Sequence, residues 1–228
     1  MDREALKRQA GEAAAELVTD GMVVGLGTGS TVRFTTEALG RRRKEGLRIL
    51  GVPTSEATAR LARGLGIPLT TLDEHPEVDL TVDGADEFDA ELRLIKGGGG
   101  ALVREKVVAR ASRRMVVVAD ASKQVERLGS TFPLPIEVLE LGKTPALRFV
   151  ESLGADVKLR RGPDGRPFRS DNGNPILDAK WPHIADPEEL ERRLETYPGV
   201  VGCGLFLGLC DLVLVADAAG VRRVERKA

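Results

Sequence analysis

Histidine and cysteine are almost missing from this chain, with two of each among 228 residues. His75 and His183 stand far apart and lack the spacing of metal ligands, which argues against a structural or catalytic zinc site. Cys203 and Cys210 both lie in "VGCGLFLGLCDL" among small apolar neighbours, the pattern of buried free thiols rather than of a disulfide or a metal pair. No apolar run approaches the ~20 residues of a membrane span. The N-terminal stretch "MDREALKRQAGEAAAELV" is charged and amphipathic and carries no secretory apolar segment, so a cytoplasmic protein is expected. Net charge is −1, and nothing points to nucleic acid or an anionic membrane as a partner.

The composition that remains is ordinary for a globular protein: 42% hydrophobic and 30% charged, on a chain long enough for a substantial core. Apolar positions Leu6, Ala10, Ala13, Ala14 and Leu17 predict a helix from about Asp2 to Val18. Buried-strand runs then alternate with helices: "MVVGLG", a helix to about Glu45 with Ser30 or Thr31 as cap, "LRILGVPTS", a helix started by Thr54 or Ser55, a short "IPLTTL", "VDLTVDGAD", "LRLIKG", a helix to about Ala111, and "RRMVVVADASK". That alternation predicts an α/β fold, a doubly wound, mostly parallel (Rossmann-like) sheet. Near Phe132 the character changes. "FPLPIEVLEL", a helix over 144–153, turn signals "GPDG" and "DNGN", and a short helix at Pro187 capped by Asp186 predict a second, smaller α+β domain. The apolar run Leu212–Ala216 reads as a strand returning to the first sheet, paired with the strand that follows it. The expected domains are therefore 1–130 with about 206–228, and about 131–205.

In such a sheet, ligands bind at the carboxyl ends of the strands, where three segments fall. In "GLGTGSTV" (25–32), Gly27 and Gly29 permit a tight turn, so that N–H groups at a helix start, with the Ser30 and Thr31 hydroxyls, can hold an anion such as a terminal phosphate. The stretch matches neither the Walker pattern nor a complete dinucleotide fingerprint; a structural turn with an N-cap is the alternative. In "VDGADEFD" (82–89), Asp83 and Asp86 bracket Gly84 and Ala85 and can face one cavity, where closely spaced carboxylates can move protons near neutral pH. Glu87 and Asp89 read as a solvated, capping loop. A magnesium site is the competing reading of the acidic cluster, but no second acidic cluster completes it. In "IKGGGGALVREK" (95–106), Lys96 ends a strand, and Gly97, Gly98, Gly99 and Gly100 let a ligand lie against bare N–H groups able to stabilise an oxyanion. Glu105 lies about one turn into the next helix, as a general base or as a mere complement to the helix dipole.

A phosphate cradle, two aspartates, a lysine and a glutamate, with no organic cofactor motif, suit proton transfer beside a carbonyl in a small phosphorylated sugar. The motifs "GLGTGSTV", "VDGADEFD", "KGGGGALVREK" and "VVVADASK" together resemble type A ribose-5-phosphate isomerase, and the resemblance runs essentially end to end. It implies interconversion of D-ribose 5-phosphate and D-ribulose 5-phosphate in the non-oxidative pentose phosphate branch, without a cofactor, by a homodimer or homotetramer. It also implies that Glu105 is the catalytic base and that Asp83 assists ring opening. By the same resemblance, Asp86 and Lys96 are expected to hold sugar hydroxyls and developing charge. The resemblance further implies that Thr28, Gly29, Ser30 and Thr31, with Lys96, Gly97, Gly98 and Gly99, form substrate loops beside Asp83, Gly84, Ala85 and Asp86, and that Lys123 and Lys7 bind substrate, Lys7 at the phosphate. The rival readings are a non-enzymatic sugar-phosphate sensor domain, which normally accompanies a DNA-binding unit, and a related sugar-phosphate deaminase or lactonase, which would be expected to use a histidine.

Overall fold

The computed structural model describes residues 3–226. Asp2, the expected start of the first helix, lies outside the described residues. In chain order the elements are α1 (Arg3–Ala15), β1 (Val23–Leu26), α2 (Val32–Lys44), β2 (Leu50–Pro53), α3 (Glu56–Gly64), β3 (Leu80–Gly84), β4 (Glu87–Phe88), β5 (Leu94–Ile95), α4 (Leu102–Arg110), β6 (Met115–Asp120), β7 (Leu134–Val138), α5 (Lys143–Ser152), β8 (Asp156–Leu159), β9 (Ile176–Lys180), α6 (Pro187–Glu195), β10 (Val200–Cys203), β11 (Leu205–Phe206), β12 (Leu212–Asp217) and β13 (Gly220–Glu225). The described residues form two compact units, one of 3–85, 104–124 and 208–226, the other of 86–103 and 125–207. Residues 86–103, which the sequence pattern assigns to the first unit, thus pack in the second.

The first unit is built on a six-stranded sheet of order β13-β12-β6-β3-β1-β2. All its pairings are parallel except the β12–β13 hairpin. Its strands read as continuous apolar runs because both faces are covered. Val24, Leu26, Val82, Val116, Val118, Leu212 and Leu214 share a core with Ala10 and Ala14 of α1 and Leu39 of α2. Full burial stabilises each large aliphatic side chain by roughly 1.5–3 kcal/mol. At Gly11 α1 comes close to α2, since a Cβ there would lie 2.7 Å from the Phe34 Cβ and 2.9 Å from the Thr35 nitrogen. Arg42, in the basic last turn of α2, donates to the carbonyls of Ala15 at the end of α1 and Val18 in the turn that follows. The expected strand "IPLTTL" reduces to a single bridge between Gly51 and Leu69, because Pro68 has no N–H to extend a ladder. Since β1, β2, β3 and β6 are parallel, the segments after them leave the same edge of the sheet. From β1 the chain first adds β2 on one side and later β3 on the other, so the β1/β3 pair is the switch point where ligands of doubly wound sheets bind.

The second unit has a four-stranded antiparallel sheet, β10-β7-β9-β8, and a three-stranded one, β11-β5-β4. Leu134, Ile136, Val138, Ala146, Val150, Leu177, Ala179, Leu194, Cys203 and Leu205 form its core. Phe149 of α5 stacks on Tyr197, with ring centroids 4.0 Å apart. Asp186 caps α6 by accepting the Glu189 N–H, with Pro187 at the first helical position, as the sequence predicts. "LRLIKG" departs from expectation. Only Leu94 and Ile95 are strand, and they pair antiparallel with β4 and β11 in the second unit rather than lying parallel in the main sheet. The tight turn from Asp89 to Leu92, with Leu92 at φ +59°, reverses the chain so that β5 pairs with β4, and the distant strand β11 takes the other edge of β5.

Candidate active site

In the first unit the loop after β1 meets Asp83 at the end of β3. Asp83 is fully buried. Its Oδ1 accepts the Thr28 N–H at 3.1 Å and the Gly84 N–H at 2.7 Å. Gly27 has to be glycine here, because a Cβ would fall 2.3 Å from that oxygen and 2.6 Å from the Asp83 Cα. The Thr28 hydroxyl lies within a group of buried hydroxyls that sequence reading passed over. Thr28 donates to Ser55 Oγ at 2.8 Å and lies 2.8 Å from Thr54 Oγ1 and 3.1 Å from Thr58 Oγ1. Thr54 and Thr58 donate in turn to the Leu26 and Gly27 carbonyls. Ser55 also caps α3 by accepting the Thr58 N–H. The available signal was three hydroxyl residues in "PTSEAT", at the carboxyl end of a parallel strand.

Further along the same loop, Gly29 adopts φ +138°, and Ser30 is exposed. Thr31 occupies the cap position of α2, but its hydroxyl makes no cap hydrogen bond, contrary to the capping role expected. Lys7 of α1 donates to Ser30 Oγ at 2.8 Å. Lys7 and Ser30 line an open cavity of about 320 Å³ with Arg3, Glu4, Arg33 and Phe34, a lining of three cations to one carboxylate. Lys123 is half-buried in the turn after β6. Asp120 caps that turn, accepting the Ser122 N–H and hydroxyl, with Arg3 at 3.6 Å. Burial pushes the Asp120 carboxyl up, but the two Ser122 hydrogen bonds, Arg3 and Lys123 together outweigh it and hold it below the ordinary aspartate range. Glu105 stands in the first turn of α4, only 3% exposed.

Asp86, Lys96 and the glycine loop belong to the second unit. The Asp86 N–H donates to Ile95 O at 2.8 Å, and the Asp86 carboxylate accepts the Gly98 N–H at 2.7 Å. Lys96 is 2% exposed, with its ammonium 5.4 Å from the centre of the Phe206 ring. Its N–H donates to Gly204 O at 2.9 Å. Gly98 and Gly99 are exposed, whereas Gly97 and Gly100 are buried at φ +105° and +84°. Asp83 and Asp86, expected to face one cavity, fall in different units, each with its own partners.

Two residues of the acidic loop correct the sequence reading. Glu87 is not solvated but fully buried in β4. Its carboxylate accepts four bonds of 2.5–2.6 Å, from the N–H groups of Gly129, Thr131 and Phe132 and from the Thr131 hydroxyl. Asp89, 1% exposed, pairs with the Arg93 guanidinium at 2.7 Å and accepts the N–H groups of Glu91 and Arg93. Each burial is offset by a full set of donors. Both cysteines are buried thiols. Among the described residues one group could supply three metal ligands: Glu191 and Glu195 of α6 with Cys203 of β10, whose ligand atoms lie within 4.8 Å of one another. No helix among the described residues is long and apolar enough to cross a membrane.

A doubly wound sheet, a cation-lined cavity at the loop after β1 and a buried carboxylate in the first turn of the helix after a glycine loop define a doubly wound α/β protein. Known proteins narrow the class. The family model for ribose 5-phosphate isomerase A (phosphoriboisomerase A) matches residues 50–220. A ribose-5-phosphate isomerase A of Thermomicrobium roseum is 51% identical over 227 residues, covering 99% of this chain and 96% of that relative. The ribose 5-phosphate isomerase A structure from Methanocaldococcus jannaschii superposes with a TM-score of 0.93 at 42% identity, covering 98% of this chain and 100% of that one. A D-ribose-5-phosphate isomerase in complex with phospho-erythronic acid superposes with a TM-score of 0.97 at 40% identity, covering 99% of this chain and 100% of that one. The chain belongs to the ribose 5-phosphate isomerase A family.

Proposed function

We propose that this chain interconverts D-ribose 5-phosphate and D-ribulose 5-phosphate, with the residues singled out in its sequence as the working groups. Asp83 assists opening of the sugar ring. Glu105 takes the proton from C2 of the open-chain aldose and returns it to C1, leaving the carbonyl at C2. Asp86 and Lys96 hold the sugar hydroxyls and stabilise the negative charge of the enediolate. The observation that carries this reading is Glu105: a carboxylate 3% exposed, in the first turn of the helix that directly follows the glycine loop. The burial of Lys96 beside an aromatic face supports its role, since a cation shielded from water acts more strongly on developing charge.

The terminal phosphate binds at Ser30, Thr31 and Lys7, a reading supported by the cationic cavity at the start of α2. Thr28, Gly29, Gly84, Ala85, Gly97, Gly98, Gly99 and Lys123 complete the substrate contacts. The protein works in the cytoplasm as a homodimer or homotetramer, with neither nucleic acid nor membrane as partner. The assembly is supported by Leu139 and Leu141, 48% and 97% exposed, and by Val201, 38% exposed on the edge strand β10. A sensor domain would bind the sugar phosphate and leave it unchanged, and a deaminase or lactonase would not make ribulose 5-phosphate. A coupled assay with ribose 5-phosphate in the presence of a chelator tests the function and its metal independence together. Turnover is expected at full rate. A rate that vanishes with chelator and returns with magnesium would overturn the carboxylate mechanism.

A further inference from the structure

The glycine loop of the second unit is gripped by a residue that no motif reading reaches. Arg160 follows β8, and its side chain is only 12% exposed. Its guanidinium forks onto Asp178 of β9, with Nε 2.9 Å from Oδ2 and Nη2 2.5 Å from Oδ1. The remaining nitrogen, Nη1, donates to the Gly97 carbonyl at 2.8 Å and the Gly98 carbonyl at 3.1 Å. Phe168 lies against the same cation, its ring centre 5.7 Å from the guanidinium carbon. Phe168 also closes the far end of the loop, because a Cβ on Gly100 would fall 2.4 Å from that ring.

In a trans peptide the carbonyl and the following N–H point opposite ways. The peptide whose carbonyl (Gly97) faces Arg160 sends its N–H (Gly98) to the Asp86 carboxylate. The next peptide, held through the Gly98 carbonyl, turns the Gly99 N–H away from the guanidinium. Hydrogen bonds in series polarise one another, so a cation on the carbonyl side strengthens the donor on the other. The series runs Asp178, Arg160, the Gly97–Gly98 peptide, Asp86.

We infer that Arg160, held by Asp178, is a positioning residue of the isomerase: it orients the Gly98 peptide, and through it the Asp86 carboxylate, for the substrate. This rests on the proposed role of Asp86 and the glycine loop in handling substrate. Lysine cannot replace arginine here, because an ammonium cannot fork onto a carboxylate while also holding two carbonyls.

The test is a double-mutant cycle on the full-length enzyme with ribose 5-phosphate, reading kcat, KM and Tm for Arg160→Lys, Asp86→Asn and the pair. Misplacement of a working group by about 1 Å can cost up to about 100-fold, so Arg160→Lys is expected to lower kcat/KM by about 10- to 100-fold. In the Asp86→Asn background the same change is expected to alter kcat/KM by no more than about twofold, the range in which independent effects add. Losses that multiply in the double variant, or an Arg160→Lys enzyme with wild-type kcat/KM and a lowered Tm, would reduce Arg160 to a structural tether and overturn the inference. An Asp86→Asn enzyme of full activity would instead remove the site reading beneath it. Asp178→Asn, which keeps the guanidinium and loosens its fork, takes the place of Arg160→Lys in the same cycle if that variant does not fold.

Discussion

Thr28 donates its backbone N–H to the Asp83 carboxylate at 3.1 Å, across the switch point of the main sheet. The bond ties the loop after β1 to a carboxylate that has no exposed surface, and Gly27 makes the approach possible. Gly27→Ala would press a methyl group against the Asp83 backbone as well as its carboxylate. Overpacking of this kind costs about 1–3 kcal/mol. A lowered Tm and a kcat/KM reduced by about tenfold or more are expected, from thermal melts and steady-state assays. A Gly27→Ala enzyme with wild-type values of both would show that the contact is not needed.

Glu105→Gln keeps the shape of the side chain and removes the proton acceptor. General-base catalysis is worth about 10²–10⁴-fold. We expect kcat to fall by at least about 100-fold, KM to change little, and exchange of the C2 proton with solvent deuterium to stop. A carboxylate that only complements the α4 dipole would contribute about 0.3–1 kcal/mol of stability, and its loss would leave turnover intact. Turnover near normal would pass the role of base to Asp83 or Asp86.

Phosphate recognition predicts a different kinetic signature. Thr31 is assigned to a non-reacting part of the substrate, so Thr31→Ala should raise KM more than it lowers kcat. The same steady-state assay, run with free ribose, should show a much poorer substrate. Equal handling of ribose and ribose 5-phosphate would refute the cradle at Ser30, Thr31 and Lys7.

Asp120 gives a prediction in pH. Its carboxyl titrates below the ordinary aspartate value because the Ser122 hydrogen bonds, with Arg3 and Lys123, outweigh the opposing effect of burial. A folded-state pKa below the unfolded one means stability that is complete above about pH 4. That stability is lost as pH falls from the unfolded value through the folded one. The Tm difference between wild type and Asp120→Asn should therefore be large at neutral pH and shrink below about pH 4. A difference that stays constant, or grows in acid, would contradict the assignment.

Much of this protein was legible in its sequence. The apolar runs of β1, β3, β6 and β12 announce strands covered on both faces, and their alternation with helices announces a parallel sheet. Ser55, Asp186 and Pro187 mark helix starts, and the setting of Cys203 and Cys210 marks them as buried thiols. These features are local: periodicity, capping and turn chemistry act within a few residues, so their signals are readable in short windows. Tertiary structure alone decided the rest. It turned β5 away from the main sheet and into the second unit. It buried Glu87 under donors 42 to 45 positions ahead in the chain, where the local acidic pattern suggested a solvated loop. It set Thr54, Ser55 and Thr58 around Thr28, and brought Arg160 across 63 positions onto Gly97. An isolated acidic or basic residue reads as solvated surface because its desolvation is costly unless partners compensate, and the topology that supplies those partners is not written next to it in the chain.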